Sequence, residues 1–158
     1  YMQNVATMKY TYDMISDAYY DGRTICIFRL SDVILCKAEI ENNLNGPAAA
    51  LPYLNQIRAR AGAPEYGKHD RFPAPTTKEA MNDAILKERG YELVFEFQRR
   101  ADLIRFGKYE EIVNAHLKKL GISQPTNVTS ALRYFPYPLN DAQLNPNLAA
   151  ENPSRLPK

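Results

Sequence analysis

The sequence predicts a mostly α-helical domain with a tetratricopeptide-like helix pair, a long central helix and a Pro-rich, extended C-terminal tail. Two observations lead to this prediction. Apolar residues recur every three or four positions between about residues 30 and 120, which is the spacing of amphipathic helices. From residue 133 onward, prolines recur too often for a continuous helix. The length of 158 residues suits one domain with its own core.

The tetratricopeptide-like pair is predicted over residues 30–44 and 47–61. Asn45-Gly46 ends the first helix, and Pro47 suits the first position of the second. Because Pro52 lies inside the second span, that helix either kinks there or begins near residue 51. One side of the first helix carries Leu30, Val33, Ile34, Ile40 and Leu44. The second helix repeats apolar residues at Ala50, Leu54, Ile57 and Ala61.

The long central helix is predicted from Thr77 to about Phe106, with Gly90 inside it and a bend allowed near Arg99. Thr76 or Thr77 can cap its start. On a helical wheel, one apolar face carries Leu86, Gly90, Leu93, Phe97, Ala101 and Ile104. The opposite face carries Met81, Ile85 and Phe95, with Glu88 and Glu92 among them. A helix that is apolar on two sides is covered from both, so we expect it at the centre of the domain.

A fourth helix and a tail complete the prediction. The fourth helix runs from Lys108 to Leu120, and the proline-rich segment 133–138 is extended. Residues 140–144 have the pattern of one capped helical turn, and the chain after them is irregular. The domain 1–158 is therefore divided into a loop with a short extended segment (1–28), a helical core (29–120) and an extended tail (121–158).

Composition and charge exclude several functional classes. The net charge of +2, with both signs interspersed, provides no basic stripe for nucleic acid and no polybasic patch for a membrane surface. No apolar run approaches the ~20 residues of a membrane span. Cys26 and Cys36 lack the Cys/His neighbours of a zinc site, so we expect two buried or partly buried thiols. No phosphate-binding or dinucleotide-binding glycine motif occurs, and we expect no cofactor.

The remaining metal-ligand candidates have the wrong spacing. Asp13, Asp17 and Asp21 recur every four residues, but they lack the register and the central Gly of an EF-hand loop, so a solvated loop is favoured over a calcium site. His69 and His116 have no partner at metal-ligand spacing. The chain opens on Tyr1 without a signal peptide or an anchoring cysteine, and we expect the N-terminal portion of a longer protein to precede it.

Three acids of the predicted central helix raise the question of catalysis. Glu88, Glu92 and Glu96 stand four residues apart, where unpaired carboxylates repel one another. Buried carboxylates must pair with cations or take up protons. The candidate cations are Arg58, Arg60, Arg89, Arg99 and Arg100. A glycosidase needs two carboxyl groups across an open cleft, whereas these point into a helix–helix interface. We predict a structural ion-pair network and no catalytic residue.

Aromatic residues in loops are the candidate ligand-binding residues. Tyr66 and Phe72 lie in the predicted loop 62–76, and Tyr19 and Tyr20 lie in the N-terminal loop. Aromatic rings can stack on sugar rings through their flat apolar faces, and a phenol can hydrogen-bond to sugar oxygens. The alternative is that these rings only pack a loop-rich domain.

Taken together, the motifs resemble the C-terminal domain of the SusD/RagB family. FRLSDVILCKAEIENNL (28–44) resembles the family's arginine-to-AEA helix, with Arg29, Asp32, Ala38 and Glu39 in the expected places. ALPYLNQIRARAG (50–62) is similar to its LN-x-(I/V)-R-x-R-A-G segment. ILKERGYELVFEFQRRADLIRFGK (85–108) is similar to ER-x-x-EL-x-FE-x-QR-x-x-DL-x-R-x-GK. The aromatic-Pro-x-Pro strand and two Asn-Pro steps at 133–153 resemble the family's ending. Ser31, Pro52 and Arg100 depart from the family's pattern.

The resemblance implies a mostly helical outer-membrane lipoprotein at the surface of Bacteroidetes-type bacteria. Such proteins capture oligosaccharides, form the lid over a SusC-like TonB-dependent transporter and catalyse no reaction. Most of their glycan-contacting aromatics would lie upstream of Tyr1, so no glycan-binding residue is carried over. The alternatives are a helical protein-interaction module and, second, a glycoside-acting enzyme that uses Glu88 and Glu92.

Overall fold

The computed structural model describes residues 26–121, 128–129, 133–135 and 137–151, and the regular structure in these ranges is helical. The helices are α1 (Leu30–Asn45), α2 (Pro47–Arg60), α3 (Lys78–Glu92), α4 (Arg99–Arg105), α5 (Tyr109–Lys119), α6 (Leu139–Leu144) and α7 (Pro146–Glu151). The predicted mostly α-helical class is confirmed. Within these ranges, none of the helices combines the length and apolar character that a membrane crossing requires.

Helices α1 and α2 form the predicted helix pair. Gly46 alone connects them, with φ +88°, a left-handed conformation that glycine adopts without steric cost. Pro47 occupies the first position of α2, and the helix continues through Pro52 without a break. The core lies where α1, α2 and α3 meet, around Leu35, Ala38, Ala50, Leu54, Ile57, Met81, Ala84 and Ile85. Burying one such large aliphatic side chain stabilises the fold by about 1.5–3 kcal/mol.

The buried side of α1 is not the predicted apolar side. Ser31, Leu35, Ala38 and Asn42 face the core. Of the predicted side, Leu30, Val33, Ile40 and Leu44 are exposed, with Leu44 at 74%, whereas Ile34 is partly buried and packs against the core. The buried side includes two polar residues, so apolar spacing alone does not identify it. The Ser31 hydroxyl accepts a hydrogen bond from Arg29, and the Asn42 amide donates to the Lys78 carbonyl and to Asn82.

The prediction of one central helix from residue 77 to 106 is wrong. Helix α3 ends at Glu92 and α4 begins at Arg99, and the turn between them holds Phe95 and Phe97 at φ 61° each. The predicted apolar face of the helical wheel is therefore correct up to Leu93, which is buried, and wrong beyond it. Phe97, predicted on the same face, is 88% exposed. The predicted start is correct, since the Thr77 side chain accepts a hydrogen bond from the Ala80 backbone N–H at 3.1 Å.

The C-terminal helices agree with the prediction only in part. Helix α5 lies within one residue of its predicted bounds, and α6 corresponds to the predicted helical turn, although Pro138 precedes it and no side chain caps it. The chain after residue 144 was expected to be irregular, but it forms α7. Asn145 precedes that helix and its side-chain oxygen accepts a hydrogen bond from the Asn147 N–H at 3.1 Å. An Asn cap followed by Pro at the first helical position is a helix start, which explains the difference.

Candidate functional site

The glutamates that raised the question of catalysis lie between helices and are paired with arginines. Glu88 of α3 and Arg58 of α2 form an ion pair of 2.6 Å, and each side chain is only 5% exposed. The Nε of Arg58 also donates to the Pro64 carbonyl at 2.5 Å. Burial this deep demands a charged partner, and the pair satisfies both groups. The Glu88 carboxylate is thus buried against Arg58 in the interface between α2 and α3.

Glu92 and Glu96 converge on Arg29, which directly precedes α1. Arg29 Nη1 lies 2.5 Å from a Glu92 carboxylate oxygen, and its Nε lies 2.9 Å from both oxygens of Glu96. Arg60 approaches the same Glu92 oxygen at 2.5 Å from the exposed side. Burial opposes ionisation of Glu92, but hydrogen bonds from Arg29 and Ser31 and the charges of Arg29 and Arg60 hold its pKa below the ordinary value.

Arg89 was predicted as a partner of the glutamates, but it pairs with two aspartates instead. Its Nε lies 2.8 Å from Asp102 of α4, and its Nη2 lies 2.7 Å from Asp32 of α1. Burial disfavours the charge of Arg89, yet the hydrogen bonds and charges of Asp102 and Asp32 raise its pKa above the ordinary value. Arg105 joins this second cluster through Asp102 and Glu39. The cluster ties α1, α3 and α4 together.

Arg99 and Arg100 stabilise backbone rather than the glutamates. Arg99 Nη1 donates to the Leu86 carbonyl at 2.7 Å. Its guanidinium lies over Gly90, where a Cβ atom would stand 2.8 Å from Nη1. The guanidinium of Arg100 lies 4.7 Å from the Phe135 ring centre and 5.5 Å from that of Tyr109, and it donates to the Arg133 carbonyl at 2.7 Å. Arg100 thereby attaches the tail to α4 and α5.

The sequence analysis missed several members of the two clusters. These are Arg29, Asp32, Glu39, Asp102 and Arg105. Arg29 and Asp32 interrupt the apolar run at residues 25–36, which is the signal that could have identified them. A charge in such a place is retained only when it is paired.

The two loop aromatics within the described residues enclose Arg58. The guanidinium carbon lies 4.7 Å from the Tyr66 ring centre and 4.5 Å from that of Phe72, and the two rings meet edge to face at 5.7 Å. Tyr66 is buried, and its backbone exchanges hydrogen bonds of 2.8 and 2.9 Å with the Asn55 amide. These contacts give both rings a packing role, and sugar binding by them stays a prediction.

Beside this loop, a shallow groove of about 390 Å³ runs between residues 73–76 and α3. Tyr66 lines its floor with Ala84, and Asp83 and Lys87 supply polar groups at its side. A sugar bound there would meet apolar surface and two charged side chains. Tyr19, Tyr20 and the three aspartates at 13, 17 and 21 lie outside the described residues.

The remaining candidates have ordinary roles in the described structure. His69 Nδ1 accepts a hydrogen bond from the Arg71 N–H at 3.2 Å within the loop. Cys36 is partly buried as predicted, with its thiol 3.5 Å from Arg89 Nη1, whereas Cys26 is exposed. The expectation for Cys26 is therefore wrong, and its neighbours Ile27 and Phe28 are exposed as well. In the described part of the chain, no group of three His, Cys, Asp or Glu residues could hold a metal ion.

Comparison with known proteins adds a family relationship to this geometry. A family model described as the SusD family matches residues 1–154. SusD-like protein P25 of Formosa agariphila is 38% identical over 122 residues, which cover 77% of this chain and 22% of that protein. Starch-binding protein SusD of Bacteroides thetaiotaomicron is 30% identical over 137 residues, 85% of this chain and 22% of that protein.

A solved structure agrees in fold. A SusD superfamily protein from Bacteroides vulgatus superposes with a TM-score of 0.60 at 29% identity, over 76% of this chain and 25% of that one. The chain thus spans about a fifth to a quarter of the length of these relatives.

Proposed function

This chain belongs to the SusD family, and from that premise we propose that it is the structural C-terminal domain of a longer protein that captures oligosaccharides for uptake. The observation that carries the proposal is the similarity, over 85% of this chain, to a starch-binding protein. The ion-pair clusters support the structural part, because they join helices that are distant in sequence and leave little of their charge free to meet a ligand.

We further propose that the protein performs no catalysis. Glycoside hydrolysis requires an acid and a second carboxylate on opposite sides of a substrate-filled cleft. Here Glu88 is enclosed by Arg58, and Glu92 is held by Arg29 and Arg60. A carboxylate with a lowered pKa, such as that of Glu92, is also a poor general acid at neutral pH.

The proposal includes a cellular location and a protein partner for the full-length protein. As in its family, the full-length protein would be a surface lipoprotein of the outer membrane and would deliver its oligosaccharide to a SusC-like TonB-dependent transporter. Most ligand contacts would then come from the part of the protein outside this chain. Tyr66, Phe72, Tyr19 and Tyr20 are the positions of this chain to test for a contribution.

Calorimetric titration with plant, host and bacterial oligosaccharides tests the proposal. The full-length polypeptide and this chain are titrated in parallel with the same panel. We expect the full-length polypeptide to bind at least one glycan and this chain to bind none. Absence of binding by a folded full-length polypeptide across starch-derived and other glycans would contradict the proposed function.

Two variants locate the contacts if this chain binds as well. Phe72→Leu removes a ring but keeps an apolar side chain, and Lys87→Met removes the charge beside the groove while keeping the length of the side chain. With an unchanged circular dichroism spectrum, loss of affinity in Lys87→Met would place a sugar in the groove that Tyr66 lines, and loss of affinity in Phe72→Leu would place one on the loop beside that groove. Unchanged affinity would leave the loop aromatics with the packing role described above.

A further inference from the structure

A second concavity adjoins the groove that Tyr66 lines. It is a pocket of about 290 Å³ between α3, the start of α4 and the first turn of α5, and it shares Asp83 and Lys87 with the groove. This volume is near the lower end of the range for small-molecule pockets, so the pocket suits one small unit of a ligand. Its lining combines the apolar Leu86 and Ile112 with the charged Asp83, Lys87, Arg99, Lys108 and Glu111.

Arg99 is held in a fixed position in this pocket, although no carboxylate pairs with it. Its Nη1 donates to the Leu86 carbonyl at 2.7 Å, and its guanidinium fills the space beside Gly90 where a Cβ atom would stand 2.8 Å from Nη1. Within the described ranges, no acid lies at ion-pair distance from Arg99, whereas Arg58 and Arg89 pair with acids at 2.6 and 2.8 Å. A guanidinium has several N–H donors in a rigid fork that suits oxyanions. Arg99 therefore keeps donors for an anion, in an orientation that is set before the anion binds.

The two lysines of the pocket are not neutralised by strong pairs either. In the part of the chain that the structure describes, no carboxylate forms an ion pair with Lys87, whose ammonium lies 6.0 Å from the ring centre of Tyr91. Lys108 Nζ lies 3.4 Å from Glu111 and 3.9 Å from Asp83, and these acidic side chains are 71% and 64% exposed. Exposed pairs contribute little free energy, so Lys108 can turn to another anion with little loss.

Charge balance and shape indicate the kind of ligand. Three cations and two carboxylates line the pocket, so one positive charge is left over. A single anionic group would balance that charge, and the apolar surface of Leu86 and Ile112 suits the C–H face of a sugar ring. A neutral sugar would leave Arg99 and Lys87 without a counter-charge.

We propose that this pocket binds one anionic unit of a saccharide, with Arg99 as the fixed cation and Lys87 and Lys108 as cations that adjust to it. The anionic group is a carboxylate or a sulfate ester, because the same donors recognise both oxyanions. The inference rests on the proposed function for the saccharide and deepens it by naming an acidic glycan. Because Asp83 and Lys87 line both concavities, a chain that lies in the groove can place its next unit in the pocket.

A pocket of this size contributes selectivity more than affinity. One small unit binds with a dissociation constant on the order of millimolar or weaker. Calorimetry on this chain detects such binding poorly, so the test requires a signal from the pocket itself.

The NMR signals of methylated lysines supply that signal in the full-length polypeptide. Reductive methylation with isotope-labelled formaldehyde marks the lysines and keeps their positive charge. Lys87→Arg and Lys108→Arg each remove one signal and thereby assign it, and the exposed Lys118 and Lys119 of α5 are internal controls. The probes are methyl glucuronoside, a sulfated methyl glucoside, neutral methyl glucoside and inorganic sulfate, all at equal ionic strength.

We expect the Lys87 and Lys108 signals to shift saturably with at least one acidic sugar and not with neutral methyl glucoside. The acidic sugar with the lower dissociation constant identifies the group as a carboxylate or a sulfate ester. No saturable shift with either acidic sugar, or equal shifts at Lys118 and Lys119, would overturn the proposal. Inorganic sulfate that binds as tightly as both acidic sugars would show an anion site without saccharide recognition, which would also overturn it.

Arg99→Gln tests the fixed cation by the same signals. The dissociation constant of the acidic sugar should rise about tenfold or more, because charge-assisted hydrogen bonds are lost. Arg71→Gln, which removes an exposed arginine outside the pocket, is the control and should change nothing. Circular dichroism verifies folding, and if Arg99→Gln does not fold, Lys87→Met followed through the Lys108 signal replaces it. An unchanged dissociation constant in the folded variant would contradict the proposal.

The two tests fail independently of each other. The monosaccharides reach the pocket whether or not the full-length polypeptide binds an oligosaccharide, so a negative NMR result leaves the calorimetric test unaffected. Calorimetric binding of neutral glycans alone would support glycan capture and contradict the acidic class.

Discussion

Arg58 shows why a buried charge is retained in this fold. Its guanidinium contacts the Glu88 carboxylate, the Pro64 carbonyl, and the rings of Tyr66 and Phe72. Each contact replaces part of the hydration that the ion loses on burial. One residue thereby connects α2, α3 and the loop between them, so its removal affects three segments at once.

Replacing Glu88 by Ala should lower the free energy of unfolding by about 3–5 kcal/mol, because the Arg58 charge would remain buried without its carboxylate. Urea denaturation followed by circular dichroism measures the change. Lys68→Ala, which breaks a pair whose lysine is largely exposed, is the control and should cost less than about 1 kcal/mol. Equal losses in the two variants would mean that the Arg58–Glu88 pair is not desolvated.

The lowered pKa of Glu92 predicts that part of the free energy of unfolding is lost in acid. The folded-state pKa of Glu92 lies below its ordinary value of 4.5, so the group stabilises the fold above about pH 4.5 and this stabilisation is lost as the pH falls below it. The unfolding free energy of the Glu92→Gln variant should therefore fall less than that of the wild type between pH 6 and pH 3.5. Parallel pH profiles of the unfolding free energy for the wild type and the variant, measured by urea titration, would contradict this. They would mean that the pKa of Glu92 is the same in the folded and the unfolded state.

At this scale, the acidic residues and two of their partners were predictable, but Arg29 was not. The sequence indicated that Glu88, Glu92 and Glu96 must be paired, and it proposed Arg58 and Arg60, which the structure places beside Glu88 and Glu92. Arg29 lies 67 residues from Glu96, and spacing along one helix carries no information about such a pair. Only the packing of α1 against α3 brings these residues together.

At the scale of elements, the break between α3 and α4 was the least predictable feature. The turn contains no Pro or Gly, and its residues continue a helical pattern, so local sequence favours one helix. Tertiary contacts oppose that preference, because Arg29 pairs with Glu96 only when the chain turns there. The buried side of α1 was mispredicted for a related reason, since Ser31 and Asn42 face the core and are satisfied there by tertiary hydrogen bonds, which apolar periodicity does not indicate.

Phe97→Gly should raise the unfolding free energy of this chain by about 1 kcal/mol, since glycine removes the left-handed strain and an exposed ring contributes little burial. Thermal and urea denaturation measure the effect. Gln98→Gly, at φ −79°, is the control and should be destabilising, because glycine there only increases the freedom of the unfolded chain. Destabilisation by Phe97→Gly would show that its ring is packed in this chain.

Gly90 has a different reason to be glycine. Gly90→Ala improves helix propensity by about 1 kcal/mol, but its Cβ would press on the Arg99 guanidinium that holds the Leu86 carbonyl. We expect the gain to appear in an Arg99→Ala background and to be reduced or reversed in the native one. A double-mutant cycle on unfolding free energies measures this coupling, and additive effects would contradict the close contact.

At the scale of the whole molecule, the charged clusters lie between helices and the exposed apolar residues of α1 lie on the outside. The clusters around Arg58, Arg29 and Arg89 join helices inside the domain. Leu30, Val33, Ile40 and Leu44 of α1 face outward. The helical class and the family resemblance were accessible from the sequence because they depend on local periodicity and ordered motifs. The side of α1 that faces the core was not, because it depends on how α2 and α3 pack against this helix.

The central claim is that the glutamates stabilise a glycan-binding protein and do not act on the glycan. Its most direct test is calorimetric titration of the full-length polypeptide and its Glu92→Gln variant with a glycan that the polypeptide binds, at a temperature where both are folded. We predict equal affinity per folded molecule, a lower unfolding free energy for the variant, and no turnover of the glycan by either. Glycan turnover that the variant loses, or a loss of affinity at unchanged stability, would contradict the claim.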